Sequence, residues 1–186
     1  MTNEEIIWQF LNKKLSNPYG TAALMGNLFA ESSLDPMKAN GIKKYGMTGK
    51  EYTEITDAGK NNNFITDGIA YGLAQWCFHT RKQALLEYAR STKRSVGDIN
   101  MQLEYIWLEL QSYKTVLNSL YSAKTIREAS DVVLLRYEKP ANKSEAVKEK
   151  RAKYGQKYFD KYNSIKVNIS KEYFNELFNA LGDKLK

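Results

Sequence analysis

Apolar residues recur at helical spacing along most of the chain, and this pattern predicts a mainly helical protein. The capping box Thr2-x-x-Glu5 opens the first predicted helix. Residues 17–20 contain a proline and a glycine and interrupt that helix. A second helix is predicted from about Thr21 to Ser32, and a proline shortly after it prevents it from continuing.

The middle of the chain is loop-rich and contains the only sheet that the pattern predicts. Glycines are spread through residues 33–63. An Asp67-Gly68 turn then separates residues 64–66 from residues 69–76, a spacing that predicts a small β-hairpin.

The remainder of the chain returns to helical spacing. Further helices are predicted to begin at Thr48, His79, Ser95, Thr125 and Ser144. The last of these runs to about Tyr162 and carries many Lys and Glu residues, which is typical of a solvated helix face.

The C-terminal part of the chain is predicted to be separate from the rest. Residues 163–169 have the composition of a linker, and Ser170 then caps an amphipathic helix. The apolar positions of that helix are Tyr173, Phe174, Leu177, Phe178 and Leu181. We therefore expect one domain at residues 1–163, followed by a linker and C-terminal helix at residues 164–186. This helix either packs on the domain or contacts a partner.

Composition and charge narrow the class of protein. The chain has 186 residues, of which 42% are hydrophobic, so it is long enough for one globular domain with a buried core. Its formal net charge of +7 favours anionic partners. No nucleic-acid-binding motif accompanies this charge, so nucleic acid is not an expected partner. Anionic polymers of a Gram-positive cell wall are the other candidate.

Cys77 and His79 are the only cysteine and the only histidine. A single cysteine excludes an intramolecular disulfide and a zinc site built from cysteines, and no metal or organic cofactor is indicated. The two residues form the only pair available for nucleophilic catalysis through a histidine, and no third group is evident that would orient them.

Membrane and export signals are not expected. No apolar stretch approaches the ~20 residues that a membrane-spanning helix needs. The N-terminus has neither a basic region nor a long apolar run, so no signal peptide is expected.

One carboxyl group lies at the end of the second predicted helix. Glu31 follows a run of mostly apolar or small residues at positions 22–30, which predicts a buried helix. Poor solvation raises the pKa of a carboxyl group, and an acid that keeps its proton near neutral pH can protonate a leaving group. Glu31 is therefore a candidate general acid. The alternative is that it caps the helix or forms an ion pair there.

Two segments together resemble a known superfamily. Glu-Ser-Ser-Leu-Asp-Pro at residues 31–36 and Tyr-Gly-Leu-Ala-Gln-Trp at residues 71–76 resemble the lysozyme-like proteins, which include goose-type lysozymes and soluble lytic transglycosylases. The phage tail-type lysozyme family is the closer resemblance, supported by residues 80–85, 136–141 and 151–158. The resemblance covers roughly residues 3–163. It implies a mainly α, α+β lysozyme-like fold, in which a helical bundle and a small β-hairpin lobe flank a cleft.

The resemblance also implies roles for the carboxylates. It makes Glu31 the general acid of a glycoside cleavage. Hydrolysis further needs a group that activates or positions a water. Asp67 is the first choice for that base, because goose-type lysozymes have a comparable acid just ahead of the corresponding segment. Asp67 alternatively accepts a hydrogen bond within its turn, and Asp57 and Glu54 are the reserves.

Further side chains are candidates for contact with the substrate: Ser32, Tyr71, Gln75, Trp76 and Tyr137. Gln75 is expected to bind the substrate or orient Glu31, unless it is a satisfied buried amide. Tyr71 and Trp76 either stack on sugars or pack in the core. Ser32 either holds the carboxylate of Glu31 or caps the helix end.

The Arg-Tyr-Glu-Lys-Pro segment adds two expectations. Tyr137 occupies roughly the place where related enzymes carry a tyrosine in the cleft. Glu138 beside it is expected to pair with a Lys or Arg and so brace its helix.

These expectations converge on a peptidoglycan glycosidase that acts on glycan strands at the bacterial cell wall. The predicted reaction is hydrolysis of the β-1,4 bond between N-acetylmuramic acid and N-acetylglucosamine. Lytic transglycosylases lack the second carboxylate and cyclise the sugar instead, and this reaction is the first alternative. A non-catalytic wall-binding or assembly module is the second. Without a signal peptide, the protein would need another route to the wall, such as a phage particle, a holin pore or cell lysis.

Overall fold

The computed structural model describes the backbone of residues 1–182, together with the side chains of residues 1–163 and of Glu172. Within this part of the chain the α-helices are α1 (Asn3–Leu15), α2 (Pro18–Ser32), α3 (Gly49–Asp57), α4 (His79–Ser91), α5 (Ile99–Ser112), α6 (Lys114–Tyr121), α7 (Ile126–Val133) and α8 (Glu145–Gly182). A 3₁₀ turn at Ile42–Tyr45 and a π-helical segment at Leu134–Glu138 complete the helical structure. Strands β1 (Ala39–Asn40) and β2 (Ala70–Tyr71) form one small antiparallel sheet. The predicted mainly α fold with a small sheet is confirmed.

Local hydrogen bonds explain where the helices begin. Thr2 and Glu5 form the predicted capping box at the start of α1. Helix α2 begins three residues earlier than predicted. The Oδ1 atom of Asn17 accepts hydrogen bonds from the next two free backbone N–H groups, and Pro18 suits the first helical position because its missing N–H would have no partner there.

The sheet differs from the predicted hairpin in its strand pairing. Strand β2 pairs with β1, with Ala39 opposite Tyr71, whereas residues 64–66 form turns and not a strand. The backbone N–H groups of Thr66 and Asp67 both donate to the carbonyl of Asn63, at 2.9 and 2.8 Å, and these bonds hold the segment in turns. The side chain of Asp67 accepts a hydrogen bond from the backbone N–H of Ile69 at 2.9 Å and so closes the next turn.

Helix α2 is enclosed by the rest of the domain. Its residues from Ala22 to Leu28 are all buried, and α1, α6, α7 and α8 pack against it. Ser33 caps the end of the helix, because it has a φ of 57° and donates its N–H to the carbonyl of Phe29 at 2.8 Å. The last turn of this buried helix therefore carries Glu31 to a fixed place at the edge of the core.

Helix α8 continues through the predicted linker. Residues 163–169 are helical, because no glycine or proline occurs between residues 156 and 181 to break the helix. The side chains of the predicted apolar stripe, from Tyr173 to Leu181, lie outside the described residues. The division of the chain at residue 163 stays a prediction. No helix within the described part of the chain is both long and apolar enough to span a membrane.

Candidate active site

Glu31 forms an ion pair with Arg151 where α2 and α8 cross. The two side chains are only 20% and 9% exposed, so the pair is mostly shielded from water. Arg151 also donates to the Oδ1 atom of Asn27 at 3.2 Å. Asn27 in turn donates to Ser130 Oγ at 2.9 Å, which ties α7 to the same network. The guanidinium is held from two sides, and it fixes the orientation of the Glu31 carboxylate.

Glu138 is a carboxyl group whose ionisation depends on Glu31. It is the last residue of the π-helical segment, and Lys139 after it has a φ of 51°. The Oε1 atom of Glu138 is buried and has no hydrogen-bond partner within the described structure. Burial, together with the negative charge of Glu31, raises the pKa of Glu138 to about 8. Both effects favour the neutral form of this carboxyl.

Among the side chains that the structure describes, Glu138 forms no ion pair with a Lys or Arg, so the expected pair is not seen there. The charges of Arg81 and Arg151 lower its pKa, but each guanidinium bonds another carboxylate. Nothing in the sequence identified Glu138 as a site residue, apart from its position in the Arg-Tyr-Glu-Lys-Pro segment.

Glu109 of α5 joins three of the segments that carry the family resemblance. Its carboxylate accepts two hydrogen bonds from Arg81, at 2.7 and 2.8 Å. It also accepts from Trp76 Nε1 at 2.9 Å and from the hydroxyl of Tyr137 at 2.7 Å. Sequence reasoning missed Glu109, because its partners come from α4, from the turn after β2 and from the π-helical segment. The cluster fixes the side chain of Tyr137, the residue before Glu138 in the chain.

Tyr71, Trp76 and Tyr137 belong to the core. All three side chains are buried, and their polar atoms bond protein groups; the hydroxyl of Tyr71, for example, lies 2.6 Å from Thr53 Oγ1. Their ring faces pack on other aromatic side chains. For Tyr71 and Trp76 the burial favours the alternative of core packing over stacking on sugars, and it also argues against the expected substrate contact of Tyr137.

Ser32 and Gln75 have different surroundings. The Oγ atom of Ser32 donates to the carbonyl of Leu28 at 3.0 Å, so the predicted bond to Glu31 is not present. Gln75 has a φ of 46°, and its Nε2 atom donates to the carbonyls of Gly72 and Lys38. Its Oε1 atom is buried and lacks a partner within the described structure, a costly arrangement that a ligand donor would relieve.

Asp67 is held by three protein groups. Its Oδ1 atom accepts from Lys82 Nζ at 2.7 Å and from the backbone N–H of Ile69, and its Oδ2 atom accepts from the hydroxyl of Tyr52 at 2.5 Å. Lys82 is fully buried. The catalytic role of Asp67 stays a prediction, and these contacts favour a structural role, because they occupy both carboxylate oxygens.

The two reserve carboxylates also have other contacts. Asp57 accepts from the hydroxyl of Ser95 and from the backbone N–H of Val96. The side chain of Glu54 is well exposed and lies 3.8 Å from Lys50. Of the acidic groups considered, only Glu138 combines a buried, unpartnered oxygen with sensitivity to the charge of Glu31.

A depression of about 870 Å³ lies beside the small sheet. It is lined by residues between Asp35 and Lys50, including Lys38, whose carbonyl accepts from Gln75. Glu31 is not part of this lining, although the lining begins only four residues after it. Within the described side chains, no group of three His, Cys, Asp or Glu residues comes together as metal ligands.

The helical bundle with its small two-stranded sheet is consistent with a lysozyme-like fold. The sequence profile of the phage tail lysozyme family matches residues 2–162. The chain therefore belongs to that family, a class of proteins that act on peptidoglycan. A comparison with curated proteins finds no match.

Proposed function

We propose that this protein is a peptidoglycan glycosidase that hydrolyses the β-1,4 bond between N-acetylmuramic acid and N-acetylglucosamine, with Glu31 as the general acid. The observation that carries the proposal is the position of Glu31, in the last turn of a buried helix and in contact with the buried Arg151. Membership of the phage tail lysozyme family supports peptidoglycan as the substrate.

The first step of this reaction is proton transfer to the bridging oxygen. Glu31 donates the proton, the glycosidic C–O bond breaks, and the sugar left behind acquires oxocarbenium-like charge. The ionised carboxylate of Glu31 then lies close to that positive charge. Arg151 keeps the carboxylate in one orientation, which reduces the entropy cost of bringing it to the leaving oxygen.

The second step is addition of water to the anomeric carbon. Asp67 was the sequence-based choice for the base, but both of its oxygens are engaged by protein groups. A water that reaches the sugar without a dedicated base is compatible with slow hydrolysis. Cyclisation to an anhydro sugar is the competing outcome, and a lytic transglycosylase is therefore the second candidate function.

Gln75 is the second residue that we propose to contact the substrate. Its buried Oε1 atom is a free acceptor, and an N-acetyl N–H or a sugar hydroxyl is a suitable donor. The positive net charge supports binding to anionic wall polymers. We propose that the protein acts at the cell wall as part of a phage particle, in line with its family.

Replacement of the proposed acid tests this function. Purified Gram-positive walls are treated with the wild-type protein, Glu31→Gln and Glu87→Gln. Glu87 is an exposed residue of α4 and provides the same chemical change away from the site. We expect Glu31→Gln to lose clearing by at least about 100-fold while it still binds walls, and Glu87→Gln to clear like the wild type.

Clearing by Glu31→Gln at the wild-type rate would overturn the catalytic assignment. If the wild-type protein binds walls without releasing any fragment, the chain is instead a wall-binding or assembly module.

A further inference from the structure

The depression beside the small sheet has well-defined walls. Strand β1, the 3₁₀ turn after it and the start of α3 all contribute to its lining. The capping box of Thr48 and Glu51 fixes the start of α3. Gly49 then packs directly on the segment before β1, since an added Cβ atom would lie 2.0 Å from the carbonyl oxygen of Met37. The depression is therefore a preformed feature of the fold.

The charged residues of the lining are mainly cations. Lys38, Lys43 and Lys50 are exposed, and Asp35 is the only acidic residue that lines the depression. Lys50 lies 3.8 Å from a glutamate one turn later in α3. The ammonium groups of Lys38 and Lys43 form no ion pair with any side chain that the structure describes. The depression thus offers two free positive charges to an anionic ligand.

The remaining lining is aliphatic and contains no aromatic ring. Ala39 and Ile42 are buried beneath it, and Met37 and Met47 are half-buried. Sugar rings prefer the flat faces of aromatic side chains, whereas small aliphatic groups fit against flexible methionines. The lining is therefore better suited to a chain of small aliphatic residues that carries carboxylates than to a sugar.

The depression adjoins the proposed glycan site. Asp35, the first lining residue, follows Glu31 by four positions, so their Cα atoms are at most about 14 Å apart. The carbonyl of Lys38 accepts a hydrogen bond from Nε2 of Gln75 at 3.2 Å. Gln75 is the second proposed substrate contact, and its amide thus lies directly against the lining. A group attached to a bound sugar can reach the depression from there.

Such a group exists in peptidoglycan, because N-acetylmuramic acid carries a short stem peptide with alanine residues and free carboxyl groups. On the basis of the proposed function, we propose that the depression binds this stem peptide, with the ammonium groups of Lys38 and Lys43 on its carboxylates. Gly41 and Gly46 leave room for the peptide backbone, since an added Cβ atom at either position would meet no atom within 4 Å. The preferred substrate is then a glycan strand that keeps its peptides.

A paired substrate comparison tests this inference. One substrate is glycan strands that carry stem peptides, and the other is the same strands after an amidase has removed the peptides; both are free of teichoic acids. The test variant is Lys38→Gln/Lys43→Gln. The matched control is Lys114→Gln/Lys124→Gln, which removes two positive charges from exposed lysines outside the depression.

We expect the test variant to lose activity only where the peptides are present. Two exposed charge contacts correspond to a fall of about 10-fold in kcat/KM on peptide-bearing strands, mainly through a higher KM. Its activity on stripped strands should equal that of the wild type, which itself should prefer peptide-bearing strands. The control variant should match the wild type on both substrates.

Three results would overturn the inference. An equal loss on both substrates would show that the lysines act without the peptide. No loss on either would show that they do not contact the substrate. A loss that appears only on walls with teichoic acids, and not on peptide-bearing strands free of them, would identify the ligand as that anionic polymer instead.

A binding measurement separates this inference from the proposed function. Nitrogen-15 NMR of the intact protein follows the backbone N–H signals of Asn40 and Lys43 as free stem peptide is added. We expect these signals to shift in the wild type, and to shift much less with a peptide whose carboxyl groups are amidated or in Lys38→Gln/Lys43→Gln. Peptide binding by a protein that cleaves neither substrate would overturn the proposed function and keep the peptide site. Cleavage of both substrates at equal rates, with no shift of these signals, would overturn the present inference alone.

Discussion

Gly26 of α2 and Gly155 of α8 lie in direct backbone contact. A Cβ atom added to Gly26 would be 2.5 Å from the backbone nitrogen of Gly155 and 2.7 Å from the carbonyl oxygen of Arg151. Because neither glycine has a side chain, the two helices approach closely at this crossing. This approach also determines which residues of α2 and α8 come into contact near the crossing. Arg151 reaches Glu31 because of this approach.

The close crossing of α2 and α8 predicts that Gly26→Ala destabilises the protein. In an ordinary helix, Gly→Ala stabilises by about 1 kcal/mol because alanine has the better helix propensity. We expect Gly26→Ala instead to lower the free energy of unfolding by about 1–3 kcal/mol, as overpacked cores do. Urea unfolding measures the difference. A more stable Gly26→Ala would show that the helices do not approach as described.

Glu109 is predicted to be a structural carboxylate. Glu109→Gln removes the charge that Arg81 needs, and loss of one partner from a largely buried pair costs on the order of 3 kcal/mol. Glu104→Gln is the matched control, because Glu104 pairs with Arg94 at the surface and such pairs contribute about 1 kcal/mol or less. Thermal unfolding of both variants gives the comparison. Equal losses in the two variants would contradict the bracing role of Glu109.

The ion pair of Asp67 with Lys82 allows a test of whether Asp67 is the catalytic base. Asp67→Asn leaves a fully buried ammonium without its carboxylate and should destabilise the protein by about 3 kcal/mol or more. The double variant Asp67→Asn/Lys82→Met removes both charges, and we expect it to recover most of that stability.

Activity of the same double variant separates structure from catalysis. Because both oxygens of Asp67 are engaged by the protein, we expect the double variant to release wall fragments at a rate within a few fold of the wild type. A stable but inactive double variant would restore Asp67 as the base.

Glu138, whose Oε1 atom is buried, predicts a pH-dependent stability. Its pKa is about 8 in the folded protein, above the value of about 4.3 in an unfolded chain. The folded state binds more protons between these two values, so the free energy of unfolding falls as the pH rises. The contribution of Glu138 is complete below about pH 4 and is lost as the pH passes 8.

Glu138→Gln should remove this fall, because glutamine does not ionise. We expect the stability of the variant relative to the wild type to increase by a few kcal/mol between pH 5 and pH 9, at about 1.4 kcal/mol for each unit of pKa shift. Glu87→Gln should follow the wild type at every pH. Parallel curves for the wild type and Glu138→Gln would mean that Glu138 is ionised in the folded protein at neutral pH.

The starts of α1 and α3 could be predicted because their causes are local. Thr2 and Thr48 form capping boxes with glutamates three residues later, and such bonds depend on little else in the chain. The strand pairing could not be predicted in the same way. β2 pairs with residues about thirty positions earlier, while the Asp-Gly turn that suggested a hairpin is held by side-chain bonds to Asp67.

The candidate acid was found from its motif, but its surroundings were not. Arg151 is 120 residues away from Glu31, and the two meet only because α2 and α8 cross at glycines. Burial raises the pKa of Glu138, and the sequence around it, one acidic residue before a Lys-Pro pair, does not reveal that burial. Tyr71 and Trp76 fit the motif equally well as core residues or as sugar contacts, and only their burial decides between these roles.

Product analysis tests the central claim most directly. Purified walls are digested with the wild-type protein and with Glu31→Gln, and the released muropeptides are identified by mass spectrometry. We predict that the wild type releases fragments with a reducing N-acetylmuramic acid end and that Glu31→Gln releases almost none. Fragments that end in an anhydro sugar would contradict hydrolysis, and reducing fragments from Glu31→Gln in wild-type amounts would contradict Glu31 as the acid.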